Sequence, residues 1–225
     1  MTHSLIVSVD VITQHRPAFE EWLRSSFLAA TGVPGVAADP VCFRGMRVET
    51  RYRTYQPTPS YIVIFQLEGD PAEVTGAKAF SDWWTKGVAA RFEWVEKQSW
   101  VVAELVSGPP PPFDYSRVLF TQVDLRPAHQ SGWARWYDEV HIPQSRLVPG
   151  MFRAENRRFA AVEIATARWH CSAKPSFIHL VPIEDSADIV QGAATPEFLA
   201  LIADTQAQWA GALESAASTL CERFR

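Results

Sequence analysis

The sequence is short of the features that cross-link a chain, anchor it or charge it one way. Only three cysteines occur, Cys42, Cys171 and Cys221. They are odd in number and far apart, with neither CxxC pairing nor metal-ligand spacing. A disulfide framework is therefore excluded, and a reducing, cytoplasmic setting is expected. Apolar runs such as Leu5 to Val7 or Tyr61 to Phe65 fall far short of the roughly 20 residues of a membrane span. The opening MTHSLIVSVDV lacks the positive start of a secretion signal and alternates like a strand. Basic charge is not in excess: Lys+Arg 21 against Asp+Glu 25 gives −4. Neither a membrane nor a nucleic acid is an expected partner. Glycine is scarce, at 11 of 225 residues, and the chain has no Gly-rich phosphate loop, no GxSxG elbow and no HExxH. Nucleotide-dependent, serine-hydrolase and zinc chemistry are disfavoured, and no metal site is expected. The neighbours Trp169, His170 and Cys171 alternate across strand faces, a poor metal arrangement.

What the chain does have is apolar bulk and a repeat. Hydrophobic residues make up 47%, with nine tryptophans, enough for a sizeable core. Segment Ser4 to Gly35 begins as an alternating strand ending Val9-Asp10, continues as a helix-like stretch, and closes on Val33-Pro34-Gly35. Ser116 to Gly150 does the same, with Val123-Asp124 and Val148-Pro149-Gly150. Counting back from the shared Pro-Gly pairs Trp22 with Tyr137 and Ser26 with His141. Each half then offers a second strand (about Val36 to Val48, and Phe152 to Ile164) and a proline turn. A third strand follows (Ser60 to Phe65, and Ser176 to Val181), then a helix (Ala72 to Trp84, and Pro196 to Trp209). A fourth strand ends each half (Gln98 to Val106, and Ser218 to Phe224).

The order β-α-β-β-α-β is ferredoxin-like. Four consecutive prolines within residues 107–115 read as a semi-rigid linker between repeats 1–106 and 116–225. A lone unit leaves one sheet face bare, and two copies can cover each other. The expected fold class is α+β, with tandem ferredoxin-like repeats pairing their sheets into one α/β barrel around an interior cavity.

The stretch Trp136-Tyr-Asp-Glu-Val-His-Ile-Pro143, followed by Val148-Pro-Gly150 and an Arg-rich strand ending Arg157-Arg-Phe159, resembles the EthD-like branch of the dimeric α/β-barrel superfamily. The match covers about 45 residues of the second half, while the first half keeps only the skeleton. The resemblance implies a fused tandem barrel. Its relatives include cofactor-independent lyases, isomerases, cyclases and decarboxylases of small, often aromatic or polyketide-like molecules, alongside haem-binding members. Fold likeness alone does not choose among these reactions.

The two halves also serve as an internal comparison. His141 and His179 occur only in the second, where the first has Ser26 and Val63, as a single active site on a duplicated scaffold would leave. His141 follows Tyr137 by one helical turn. It reads as the proton donor or acceptor, or as a cap on helix carbonyls; the residues alone favour the cap, and the resemblance favours the proton. Phe177, His179 and Val181 share one strand face, so His179 either meets His141 or is a core histidine. Tyr137 can donate to an oxyanion or simply pack. Asp124 can orient a histidine or, more in keeping with a strand end, make a turn. Gln122 and Asp10 hold comparable places facing the expected cavity. Arg157 could hold a substrate carboxylate, with Arg158 pointing the opposite way. Most tryptophans read as helix-to-sheet packing, leaving Trp133 and Trp169 to line a cavity.

The expectation is therefore a cofactor-independent lyase or isomerase for a small, mostly apolar molecule, acting as a monomer or homodimer and using no cofactor. A non-catalytic binding protein and a haem-binding barrel are the alternatives.

Overall fold

A computed structural model describes residues 2–28, 32–51, 53–87, 89–164 and 174–224. The segment with Trp169, His170 and Cys171 lies outside them. β1 (His3–Val11) leads through α1 (Arg16–Trp22) and a π turn (Leu23–Phe27) to β2 (Val41–Gly45). A two-stranded hairpin, β3 (Val48–Glu49) and β4 (Thr54–Tyr55), precedes β5 (Tyr61–Leu67). Then come α2 (Pro71–Gly76), α3 (Lys78–Gly87) and β6 (Val95–Ser107). The second half repeats the plan. β7 (Arg117–Leu125), α4 (Gln130–Trp136), a second π turn (Tyr137–His141) and α5 (Ile142–Ser145) lead to β8 (Arg157–Ala161) and β9 (Phe177–Pro182). α6 (Ile189–Gly192), α7 (Pro196–Trp209) and β10 (Leu213–Arg223) complete it.

Punctuation in the sequence sets these bounds. Asp70 caps α2 by accepting from the Ala72 and Glu73 N–H groups, and Thr195 caps α7 by accepting from Phe198. In both halves the Val-Pro-Gly turn places its glycine, Gly35 and Gly150, at positive φ (82° and 60°).

Eight strands close into one antiparallel barrel in the order β1-β5-β2-β10-β7-β9-β8-β6. Within each half the order is fourth, first, third, second, the ferredoxin arrangement. Closure comes from pairing at the edges: β2 pairs with β10 (Gly45 with Cys221), and β6 pairs with β8 (Leu105 with Phe159). The fold is thus an α+β barrel of two ferredoxin-like sheets. Among the described residues no helix is long and apolar enough to cross a membrane.

Among the described residues the barrel interior, expected to hold a cavity, is packed. One set of alternating residues, including Ile6, Phe43, Ile62, Phe120, Ile178 and Leu180, points inward and fills the barrel, each no more than 1% exposed. Eight strands leave a bore that side chains can fill. The other set faces the helices. Among the described residues of the first half that layer is packed with aromatic rings, with Phe27 stacked on Trp83 at 5.1 Å and edge-on to Phe65 at 5.4 Å. In the second half the same layer is hollow.

The helical register also differs from the count based on Pro-Gly. β1, α1 and the first π turn match β7, α4 and the second π turn in length and sequence spacing. Trp22 therefore corresponds to Trp136, Leu23 to Tyr137 and Phe27, not Ser26, to His141. The odd residue falls between the π turn and Val-Pro-Gly.

Candidate functional site

The hollow is a pocket of about 280 Å³ between the helix-facing side of the second sheet and the helices over it. β7 contributes Thr121 and Val123, β9 contributes His179, and β10 contributes Ser218. α4 and its π turn supply Trp133, Tyr137 and His141, while α7 supplies Leu201 and Thr205. The strand period places Phe177, His179 and Val181 toward the helices and Ile178 and Leu180 toward the bore. The π turn carries Tyr137 and His141 over the same face. The first half keeps its π turn without a histidine, so the turn belongs to the fold and only its side chains are particular to the pocket.

Tyr137 stands between the two imidazoles, its ring 4.9 Å from His141 and 3.9 Å from His179. Trp133, Trp136 and Trp209 pack behind at 5.2 to 5.6 Å from one another. Gly132 makes room for this cluster, since a Cβ there would sit 3.3 Å from Trp209.

Thr205 sets the His141 tautomer. Its hydroxyl has one proton, donated to the Leu201 carbonyl at 2.8 Å. At 3.3 Å from His141 Nδ1 its oxygen must therefore accept. Nδ1 carries the hydrogen, leaving Nε2 with the free lone pair. Burial lowers the His141 pKa to about 4, against a small opposing pull from Asp204. The imidazole is neutral at neutral pH, a proton acceptor more readily than a donor. Burial, then the Asp138 carboxylate, pushes the Tyr137 phenol up, so it keeps its O–H.

His179 is wholly buried, and among the described residues neither ring nitrogen has a hydrogen-bond partner. Burial first, then the Arg158 cation and His141, holds its pKa well below the ordinary value. Unmet polar groups of this kind cost roughly 1–3 kcal/mol. His179→Leu should therefore stabilise the fold by about that much, read as a higher urea midpoint. A lowered midpoint would mean that the imidazole holds a structural partner after all.

The structure brings His141, His179, Tyr137 and Trp133 to this one pocket. Asp124, Gln122, Asp10 and Arg157 lie elsewhere. Gln122 pairs with Ile178 and Ala217, which places it on the bore side of β7. Asp124, two residues on, binds Lys174 at 2.7 Å and accepts from the Ser176 hydroxyl at 2.9 Å. Burial raises its pKa, but the Lys174 and Ser176 contacts outweigh that and lower it. Asp10 accepts from the Ser60 N–H at 3.0 Å. Both aspartates fasten the end of a first strand to the start of a third. Arg157 donates to the carbonyls of Pro109, Pro110 and Pro112, with its guanidinium over Phe113 and Tyr115.

Arg158, not Arg157, lies beside His179: it is cross-strand from it and binds Asp138 at 2.7 Å. Thr205 was also missing from the sequence reading. Its i, i+4 relation to Trp209 on a helix with polar positions is the one signal that marks its face. Among the described residues, no cluster of three or more His, Cys, Asp or Glu side chains could hold a metal ion.

No protein-family model matches the chain, and no curated protein resembles it significantly in sequence. Solved structures do. An anthrone oxidase-like protein aligns at TM-score 0.62 and 10% identity, covering 100% of this chain and 91% of its own. A provisionally assigned monooxygenase from Fusobacterium nucleatum subsp. nucleatum gives 0.53 and 10%, covering 100% and 93%. A provisionally assigned chlorite dismutase gives 0.51 and 10%, covering 100% and 95%. At 10% identity these likenesses show the fold alone, a ferredoxin-like α/β barrel, and say nothing of the reaction.

Proposed function

We propose that the chain is a cofactor-independent proton-transfer enzyme, a lyase or isomerase, for a small, mostly apolar aromatic or polyketide-like molecule. The observation that carries this is the neutral His141 imidazole, its tautomer fixed by Thr205, in an apolar pocket that the first half fills with aromatic rings. His141 Nε2 takes a proton from a carbon next to a carbonyl, and the electron pair moves onto the carbonyl oxygen. Tyr137, kept protonated, donates to that oxyanion. Returning the proton at another carbon completes an isomerisation; expelling a group β to the first carbon completes a lyase step.

The pocket volume of about 280 Å³, equal to that of roughly nine waters, suits a molecule of two or three fused rings. A Soret band on addition of haem would instead mark a haem-binding barrel. An anthrone-type carbon acid fits the same first step, and oxygen consumption would distinguish its oxidation from isomerisation.

The test is proton exchange on 2-tetralone in D2O, followed by NMR. Wild type should accelerate exchange, and a pocket that binds the ketone without exchanging its protons would mark a non-catalytic binding protein. Thr205→Val should slow exchange by about tenfold with little change in KM, and Thr205→Ser should restore it. Equal rates in Val and Ser variants would remove Thr205 from its positioning role.

A further inference from the structure

A second cavity of about 290 Å³ adjoins the histidine pocket, with Tyr137 and Ile142 in the walls of both. Its other charged lining is three guanidinium groups, Arg146, Arg157 and Arg158, against one carboxylate, Asp138. Arg158 is matched to Asp138 at 2.7 Å. The other two arginines reach only backbone oxygens: Arg146 donates to Ala154 at 3.0 Å, and Arg157 to three carbonyls of the proline linker. Among the described residues neither is paired with an acid, so the cleft carries two uncompensated positive charges.

Arg157 is the telling case, because it is only 4% exposed. Buried charges are ordinarily paired. Burial lowers its pKa to about 10, which still leaves it charged at neutral pH. Its Nη1 has no hydrogen-bond partner among the described residues. Neither has either polar atom of the neighbouring Asn156 amide, itself 9% exposed. The linker is pressed against this spot: a Cβ on Gly108 would collide with the Asn156 carbonyl oxygen at 2.1 Å. Unspent guanidinium and amide donors around a cleft of net positive charge are complementary to a carboxylate.

We propose that this cleft is a carboxylate-binding site, set beside the histidine pocket across Tyr137 and Ile142. Arg146 at the exposed rim draws the anion in, and the Asn156 and Arg157 donors, closed from water behind the wall, complete its hydrogen bonds when that wall opens to it. The carboxylate comes either from a free small acid or from the acidic end of the molecule held beside His141. The site does not depend on the proton chemistry proposed for His141.

Titration calorimetry on the whole chain tests this with three probes, sodium acetate, sodium 2-naphthoate and neutral 2-naphthamide. Both carboxylates should bind, more weakly as salt rises. Arg146→Glu, at an exposed position, should weaken each by about tenfold or more, and Asn156→Leu should act in the same direction. 2-Naphthamide should not respond to Arg146→Glu, and Arg47→Glu should change nothing. Acetate and naphthoate of equal affinity identify a free acid as the ligand; naphthoate tenfold tighter than acetate identifies one molecule reaching both cavities. Carboxylate affinity unchanged in Arg146→Glu, or no carboxylate binding at all, overturns the site. Lost proton exchange with carboxylate binding intact would count against the His141 reading alone.

Discussion

Replacing His141 by alanine should slow 2-tetralone proton exchange by about 10²- to 10⁴-fold, the usual contribution of one placed acid-base group. The loss should appear in kcat, because alanine leaves the apolar walls that bind the ring. The same imidazole dictates the pH profile. Its folded pKa of about 4 keeps Nε2 unprotonated well below the range where a free histidine would be lost as a base. Exchange per active site should therefore stay level from pH 8 down to about pH 5.5 and fall only below that. An acid limb centred near 6.5 would mean that the histidine is hydrated in solution, and a His141→Ala enzyme with full exchange would remove it from the chemistry.

Acid should also unfold this protein through the same residue. The folded pKa lies below the unfolded value of 6.5, so the unfolded chain binds the proton more readily. The stability involved is fully present above pH 6.5 and is lost as pH falls toward 4. The linkage amounts to about 2 kcal/mol at pH 5. His179, depressed in the same direction, adds to it. Phenylalanine occupies the matching place in the first half, at Phe27, so His141→Phe is the informative variant. In urea unfolding at pH 7.5 and pH 5, the variant should gain about 2 kcal/mol on wild type between the two. Carboxylates elsewhere titrate equally in both proteins and cancel from that difference. A gap that does not change with pH would refute the buried neutral imidazole.

How much of this was legible in the residues depended on what each signal encodes. Strand alternation, Val-Pro-Gly and the proline linker are local, and they carried the repeat order and the barrel. The one-turn spacing from Tyr137 to His141, and the strand face of His179, carried these three residues into one pocket. Alternation shows that two faces differ without saying which face meets the helices and which meets the bore. Asp124, Gln122 and Asp10 were therefore placed facing a cavity, when their side of the strand closes on packed side chains and strand-end contacts. The same ambiguity favoured Arg157 over Arg158, since only the folded linker shows which arginine it occupies. The pairing of Ser26 with His141 failed because a loop residue, invisible to a count taken from the glycine, had shifted the register. Thr205 carried no motif of its own; it matters because α7 packs across the π turn.

Pairing of the two sheets at their edges also bears on how the chain reaches its fold. Gly45 meets Cys221, and Leu105 meets Phe159, so the contacts that complete the barrel join residues remote in sequence. Such contacts form slowly, because the entropy of a long loop is lost before any pairing compensates it. Until β10 arrives beside β2, the inward faces of Ile6, Phe43 and Ile62 lie open to water. Closure over the first sheet is thus held waiting for the last strand of the barrel, and that interval is when the nascent chain is most exposed to wrong partners.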